Sequence, residues 1–150
     1  MNTIIIFIAT FLGCVGFSIM FNLRGKINLL ASFGGVIGYA VFLLFSFTQN
    51  DIMQYFLATI AIEIYAEILA RVFKQPVTIF LIVALLPLVP GGGIYYTMEY
   101  CINGNIGMFI EEGLHTFFIA GSLVGGIIVV SSVVRLIDRV KHHIHTTVKV

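Results

Sequence analysis

Apolar stretches about twenty residues long, separated by short polar turns, constrain this chain more than any other feature. A stretch of that length matches the hydrocarbon thickness of a bilayer when helical. Five can be marked: Thr3–Phe21 (3–21), Leu29–Phe47 (29–47), Ile52–Val72 (52–72), a broken stretch over 76–100, and Leu114–Leu136 (114–136). Composition agrees. Hydrophobic residues make up 59% of the 150 residues and charged residues 10%. Soluble domains carry roughly 25% charged residues. So few charges cannot cover a water-facing surface, and the expected fold is an all-α integral membrane protein of about five transmembrane helices. No linker or low-complexity tract divides it, so residues 1–150 are expected to form one transmembrane domain.

Charge placement sets an orientation. With five spans, Arg24, Lys26, Arg71, Lys74, Arg135, Arg139, Lys141 and Lys149 fall on one side, and they are every Lys and Arg present. Asp51, Glu99, Glu111 and Glu112 fall on the other. Basic loops stay cytoplasmic, which predicts the N-terminus outside and the C-terminus inside. No basic residue precedes the first apolar run and no small-residue cleavage site ends it, so it is read as a retained helix rather than a signal peptide. The expected location is the cell membrane, as a multi-pass protein.

Several function classes find no support. The net charge of +1 and the lack of a basic patch with interleaved aromatics argue against a nucleic-acid partner. Cys14 and Cys101 lie in or beside apolar stretches without metal-ligand spacing. No nucleophile–base set, zinc motif or phosphate-binding loop appears, so neither an enzyme nor a metal site nor a cofactor is expected. His142, His143 and His145 in the basic tail read as a solvated or headgroup-contacting segment rather than a metal site, and His115 sits at the outer edge of the last span. Gly34/Gly38, Gly121/Gly125 and Ser122/Gly126 are spaced four apart. Small residues let helices approach closely in lipid. They serve either internal packing or a subunit interface.

Two segments carry candidate chemistry. On the third span, Thr59, Glu63, Glu67 and Arg71 recur every fourth residue and share a face. Glu63 falls near mid-span, where an ionisable side chain costs about 2.5–3.5 kcal/mol on insertion scales. It should therefore face protein or a water-filled cavity. Arg71 falls at the cytoplasmic end and reads as a structural anchor. The second segment is Leu86-Pro87-Leu88-Val89-Pro90-Gly91-Gly92-Gly93. Proline removes a backbone donor and the glycines relax the chain. A break within a span survives only where it is buried or lines a cavity, and such breaks build transporter sites. A second half-helix from about Ile94 would aim free amides at an anionic group, with Tyr95, Tyr96 and Thr97 close behind. Glu63, Glu67, Pro87, Pro90, Gly91, Gly92, Gly93 and Tyr95 are the candidate substrate-binding or transport residues.

The run Ala66-Glu67-Ile68-Leu69-Ala70-Arg71, then Lys74-Gln75-Pro76, then Pro87-Leu88-Val89-Pro90-Gly91-Gly92-Gly93-Ile94-Tyr95 resembles the threonine/serine exporter family, in its small five-helix unit. The resemblance implies secondary export of L-threonine and L-serine, or of dicarboxylates such as succinate in split relatives. It also implies a larger partner with five helices and a cytosolic hydrolase-like domain, and leaves room for a homo-oligomer. Apart from the resemblance, the mid-span Glu63 is the candidate for a proton role in coupling. The competing expectation is a structural or assembly subunit whose partner carries the substrate site.

Overall fold

The computed structural model describes the backbone of residues 3–147 and side chains through residue 140. Among these residues there are six α-helices, two 3-10 turns and no strand. The helices are α1 (Thr3–Met20), α2 (Lys26–Leu44), α3 (Asp51–Phe73), α4 (Val77–Leu85), α5 (Gly91–Ile102) and α6 (Ile106–Thr147). The turns cover Ser46–Thr48 and Leu86–Leu88.

Local chemistry places most helix ends. Asn50 caps α3 by accepting from the Met53 amide at 3.3 Å, which satisfies one of the free first-turn donors. Lys74 adopts a left-handed conformation (φ 52°), and its amide closes α3 on the Ala70 carbonyl. Pro76 then cannot extend α3 and sits immediately before α4. Asn105 caps α6 through the Met108 amide at 3.3 Å.

By length and apolar composition, α1, Lys26–Thr48 and Ile106–Val140 can each cross a membrane. Val77–Leu88 and Gly91–Ile102 form a pair bent by 54°, a fourth crossing if the pair is one span. The third stretch of the sequence-based count, α3, stands outside this set. It carries Asp51, Glu63, Glu67 and Arg71 and turns Gln54, Thr59 and Glu63 into the protein. At 23 residues it is about 34 Å long.

Two boundaries differ from the sequence reading. The last helix covers Ile106–Thr147 rather than 114–136, because Glu111 and Glu112 lie within it instead of in a loop. The second half-helix begins at Gly91 rather than Ile94. The glycines form its first turn, where the amides need no intrahelical partner.

Helix α2 packs against α1, α3 and α4, while α6 packs against α3 and α5. One apolar cluster joins Cys14, Ala31, Ala66, Phe80 and Val83; a second joins Ala58, Ile62, Ala84, Leu88 and Leu123. Contacts between α3 and α6 advance together along both chains: Asp51 with His115, Thr59 with Gly126, Glu63 with Ser131, Arg71 with Asp138. The two helices are therefore parallel, and α4 with α5 returns the chain between them. Helix α5 folds back along the start of α6, with Gly93 against Thr116 and Thr97 against Gly113.

Some of the small-residue positions serve internal packing. Gly34 and Gly38 face inward, and a Cβ at Gly126 would stand 2.9 Å from Thr59 Cβ. At Gly121 a Cβ would meet nothing within 4 Å. Gly121→Ala is therefore expected to leave the stability of the purified chain unchanged or to raise it by up to about 1 kcal/mol, through helix propensity. A thermal melt in detergent checks this. A marked loss of stability there would mean that the position is packed.

Candidate functional site

The break in the fourth apolar stretch builds a cavity. Helix α4 tightens into the 3-10 turn at Leu86–Leu88, where Pro87 packs against Gly35 of α2. Val89 is extended, and Pro90 takes the N-cap position of α5 without a side chain able to cap it. The Gly91 amide donates to the Val89 carbonyl at 2.7 Å, and the Ile94 amide to the Pro90 carbonyl at 3.1 Å. Helix geometry leaves the Gly92 and Gly93 amides without intrahelical acceptors, at the positive end of the helix dipole.

Across from them stands Thr116 of α6, 9% exposed, whose hydroxyl oxygen is buried without a hydrogen-bond partner. The two backbones approach so closely that a Cβ on Gly93 would overlap the Thr116 hydroxyl. The cavity beside them, about 290 Å³, is lined by Val89–Gly93 together with Phe42, Asp51, Tyr55, Glu112, His115, Thr116 and Ile119. That volume is at the small end for ligand pockets.

The cavity is electrically two-sided. Amides and a hydroxyl present donors on one wall. Asp51 and Glu112 bring carboxylates to the same space, with Asp51 Oδ2 3.6 Å from His115 Nε2. A small ligand carrying both an anionic and a cationic group meets a complement for each.

The candidate residues from the sequence fall in three places. Pro90, Gly91, Gly92 and Gly93 line the cavity, while Pro87 fixes the turn against α2. Tyr95 is 65% exposed and packs edge-on against Tyr96, outside the cavity. Thr97 spends its hydroxyl on the Gly93 carbonyl at 2.7 Å. Glu63 lies in the protein interior, 2% exposed, but does not line the cavity. Its neighbour Ile62 joins Leu88 in the apolar cluster, whereas Glu63 accepts a 2.8 Å hydrogen bond from Ser131 of α6. Glu67 pairs with Arg71 at 2.9 Å, and Arg71 also reaches Asp138 of α6 at 3.0 Å. Arg71 thus ties α3 to α6.

Asp51, Tyr55, Glu112 and Thr116 were not singled out from the sequence as site residues. Tyr55 and Asp51 continue the every-fourth-residue row of α3 by two more steps, and that row was the available signal. Thr116 has none, being one hydroxyl in an apolar run. Among the described residues no group of three His, Cys, Asp or Glu side chains is arranged to hold a metal ion. The side chains of His142, His143 and His145 lie outside the described residues.

No curated protein and no solved structure matches the chain. A family profile does: that of the threonine/serine exporter ThrE, over residues 6–133. The matched region runs from α1 through the broken pair and most of α6, so it contains the whole cavity. An all-helical chain with apolar spans and a broken pair fits a membrane-embedded transporter component, and the chain belongs to the threonine/serine exporter family.

Proposed function

We propose that this chain is the small transmembrane subunit of a secondary exporter of small zwitterionic amino acids, with L-threonine and L-serine as its leading substrates. The observation that carries this reading is the two-sided cavity at the helix break. The substrate carboxylate would take the Gly92 and Gly93 amides and the Thr116 hydroxyl, the one buried donor there without a partner. Its ammonium would face Asp51 and Glu112. A dicarboxylate would fill the first position equally well. Its second carboxylate would then meet two like charges, which is unfavourable at close range.

The rest of the proposal follows from charge and family. The chain would lie in the cell membrane with its N-terminus outside, α3 crossing alongside α6, and the cavity toward the outer face. A larger five-helix partner with a cytosolic hydrolase-like domain would complete the transporter.

Reconstitution with and without such a partner tests the reading. Labelled L-threonine flux should be competed by L-serine and spared by succinate. Competition by succinate as strong as by L-serine contradicts the zwitterion assignment. Flux that persists in the partner without this chain would leave it an assembly subunit.

A further inference from the structure

We propose that Glu63, held by Ser131, is a proton-carrying site of this chain, separate from the cavity at the helix break. The side chain is 2% exposed and lies between α3 and α6. One carboxyl oxygen accepts the Ser131 hydroxyl at 2.8 Å, and the other, Oε2, is buried with no partner. A buried carboxylate with one hydrogen bond and no counter-ion is costly. The neutral acid, with its proton on Oε2 and the Ser131 bond kept on Oε1, removes the charge and lowers that cost to the smaller one of an unpaired buried hydroxyl.

Among the described residues no cation is paired with it. Along α3 the charged groups near Glu63 are Glu67 and Arg71, and Arg71 is already engaged by Glu67 and Asp138. On α6, Arg135 and Arg139 are exposed and make no ion pair with Glu63 among the described residues. Helix α4 has no titratable side chain. From α2, Lys26 is exposed and Tyr39 packs on Phe7 and Phe42. A metal cation fits poorly, because hard cations take several oxygen ligands. Beside Ser131 the nearest hydroxyl on the row is Thr59, which donates to the Tyr55 carbonyl at 2.8 Å.

Position gives the site its consequence. Asp51, Tyr55, Thr59, Glu63, Glu67 and Arg71 form one polar row, every fourth residue, along the seam with α6. The row starts in the cavity and passes Glu63 before ending at the Arg71–Asp138 tie. The seam is closed at Glu63, which is 2% exposed. One turn toward the cavity it stays tight, with a Cβ on Gly126 placed 2.9 Å from Thr59 Cβ. Release of the Oε2 proton to water requires α3 and α6 to part and hydrate the carboxylate. Reclosure requires a proton to be taken back. One proton is bound and one released per cycle, which ties protonation to the state of the seam.

Two measurements test the assignment. Infrared difference spectra of the purified chain at neutral pH, wild type against Glu63→Gln, should show loss of the carbonyl stretch of an un-ionised carboxylic acid. Ser131→Ala, which leaves the acid in place, should shift that band. Loss of ionised-carboxylate bands instead, or a band indifferent to Ser131→Ala, overturns the proposal. The second measurement rests on the transport reading. In reconstituted transporter, Glu63→Gln should keep substrate exchange and lose pH-gradient-driven accumulation altogether, so that substrate levels out on the two sides of the membrane. Accumulation retained in that variant also overturns it. A wild-type complex with no flux at all would overturn the transport reading while leaving the infrared result to stand or fall alone.

Discussion

Gly93→Ala is expected to lower the apparent affinity for L-threonine at least tenfold, by closing the cavity rather than by unfolding the chain. The new methyl would land on the Thr116 hydroxyl, with Thr116 Cβ and Cγ2 each 3.3 Å away. Either the hydroxyl turns out of the cavity or α5 moves off α6. In both cases a donor to the substrate carboxylate is lost, and hydrogen bonds to charged groups are worth about 1.5–3 kcal/mol. Thr116→Val should show a similar loss without the crowding. Thr116→Ser keeps the hydroxyl and should stay near the wild type. Combining Gly93→Ala with Thr116→Ala restores space without restoring the donor, so affinity should stay low while thermal stability recovers. Isothermal titration or a scintillation proximity assay on purified transporter reads the series. Wild-type affinity in Thr116→Val would remove the cavity from substrate recognition.

Gly38→Ala should destabilise the bundle itself, by about 3 kcal/mol, the upper part of the range for overpacking. A Cβ there would stand 2.6 Å from Ile62 Cγ1 and closer still to Cδ1. Ile62 is fully buried and backed by Leu88, which lies 3.6 Å from the same point. The displaced atoms have nowhere to go. Ile62→Val removes Cδ1 and alone costs about 0.5–1.5 kcal/mol. In the Gly38→Ala background it should instead recover stability, a coupling that a double-mutant cycle measures. Additive losses would mean that α2 and α3 do not meet at this pair.

The helix break was legible because proline and glycine act on the backbone wherever they stand. Pro90 and its three glycines could not continue a helix from α4, and Glu63 could not face lipid cheaply. The far walls of the cavity were a different matter. Thr116 and Glu112 come from α6, and α5 folds back onto it at Asn103-Gly104-Asn105, where Gly104 has φ 70°. An Asn-Gly pair marks such a turn locally, but not which α6 side chains it sets opposite Gly93. The starts of α5 and α6 were placed too late for a related reason. Gly91–Gly93 read as an interruption of an apolar run, yet the first turn of a helix tolerates glycine. Glu111 and Glu112 read likewise, yet they sit in the second turn of α6, where glutamate is a good helix former. Pairing of Glu63 with Ser131 was equally hidden, since it needs the parallel register of α3 and α6.

That register has a consequence for biosynthesis. Ser131 follows Glu63 by 68 positions, roughly 3–14 s of synthesis at 5–20 residues per second. Throughout that interval the Glu63 carboxyl group lacks the Ser131 hydroxyl that holds it in the folded chain. A nascent chain stopped within α6 before Ser131 would keep an unmatched polar helix. The third helix is therefore completed only by the last one, whose synthesis supplies the partner that its buried carboxyl group needs.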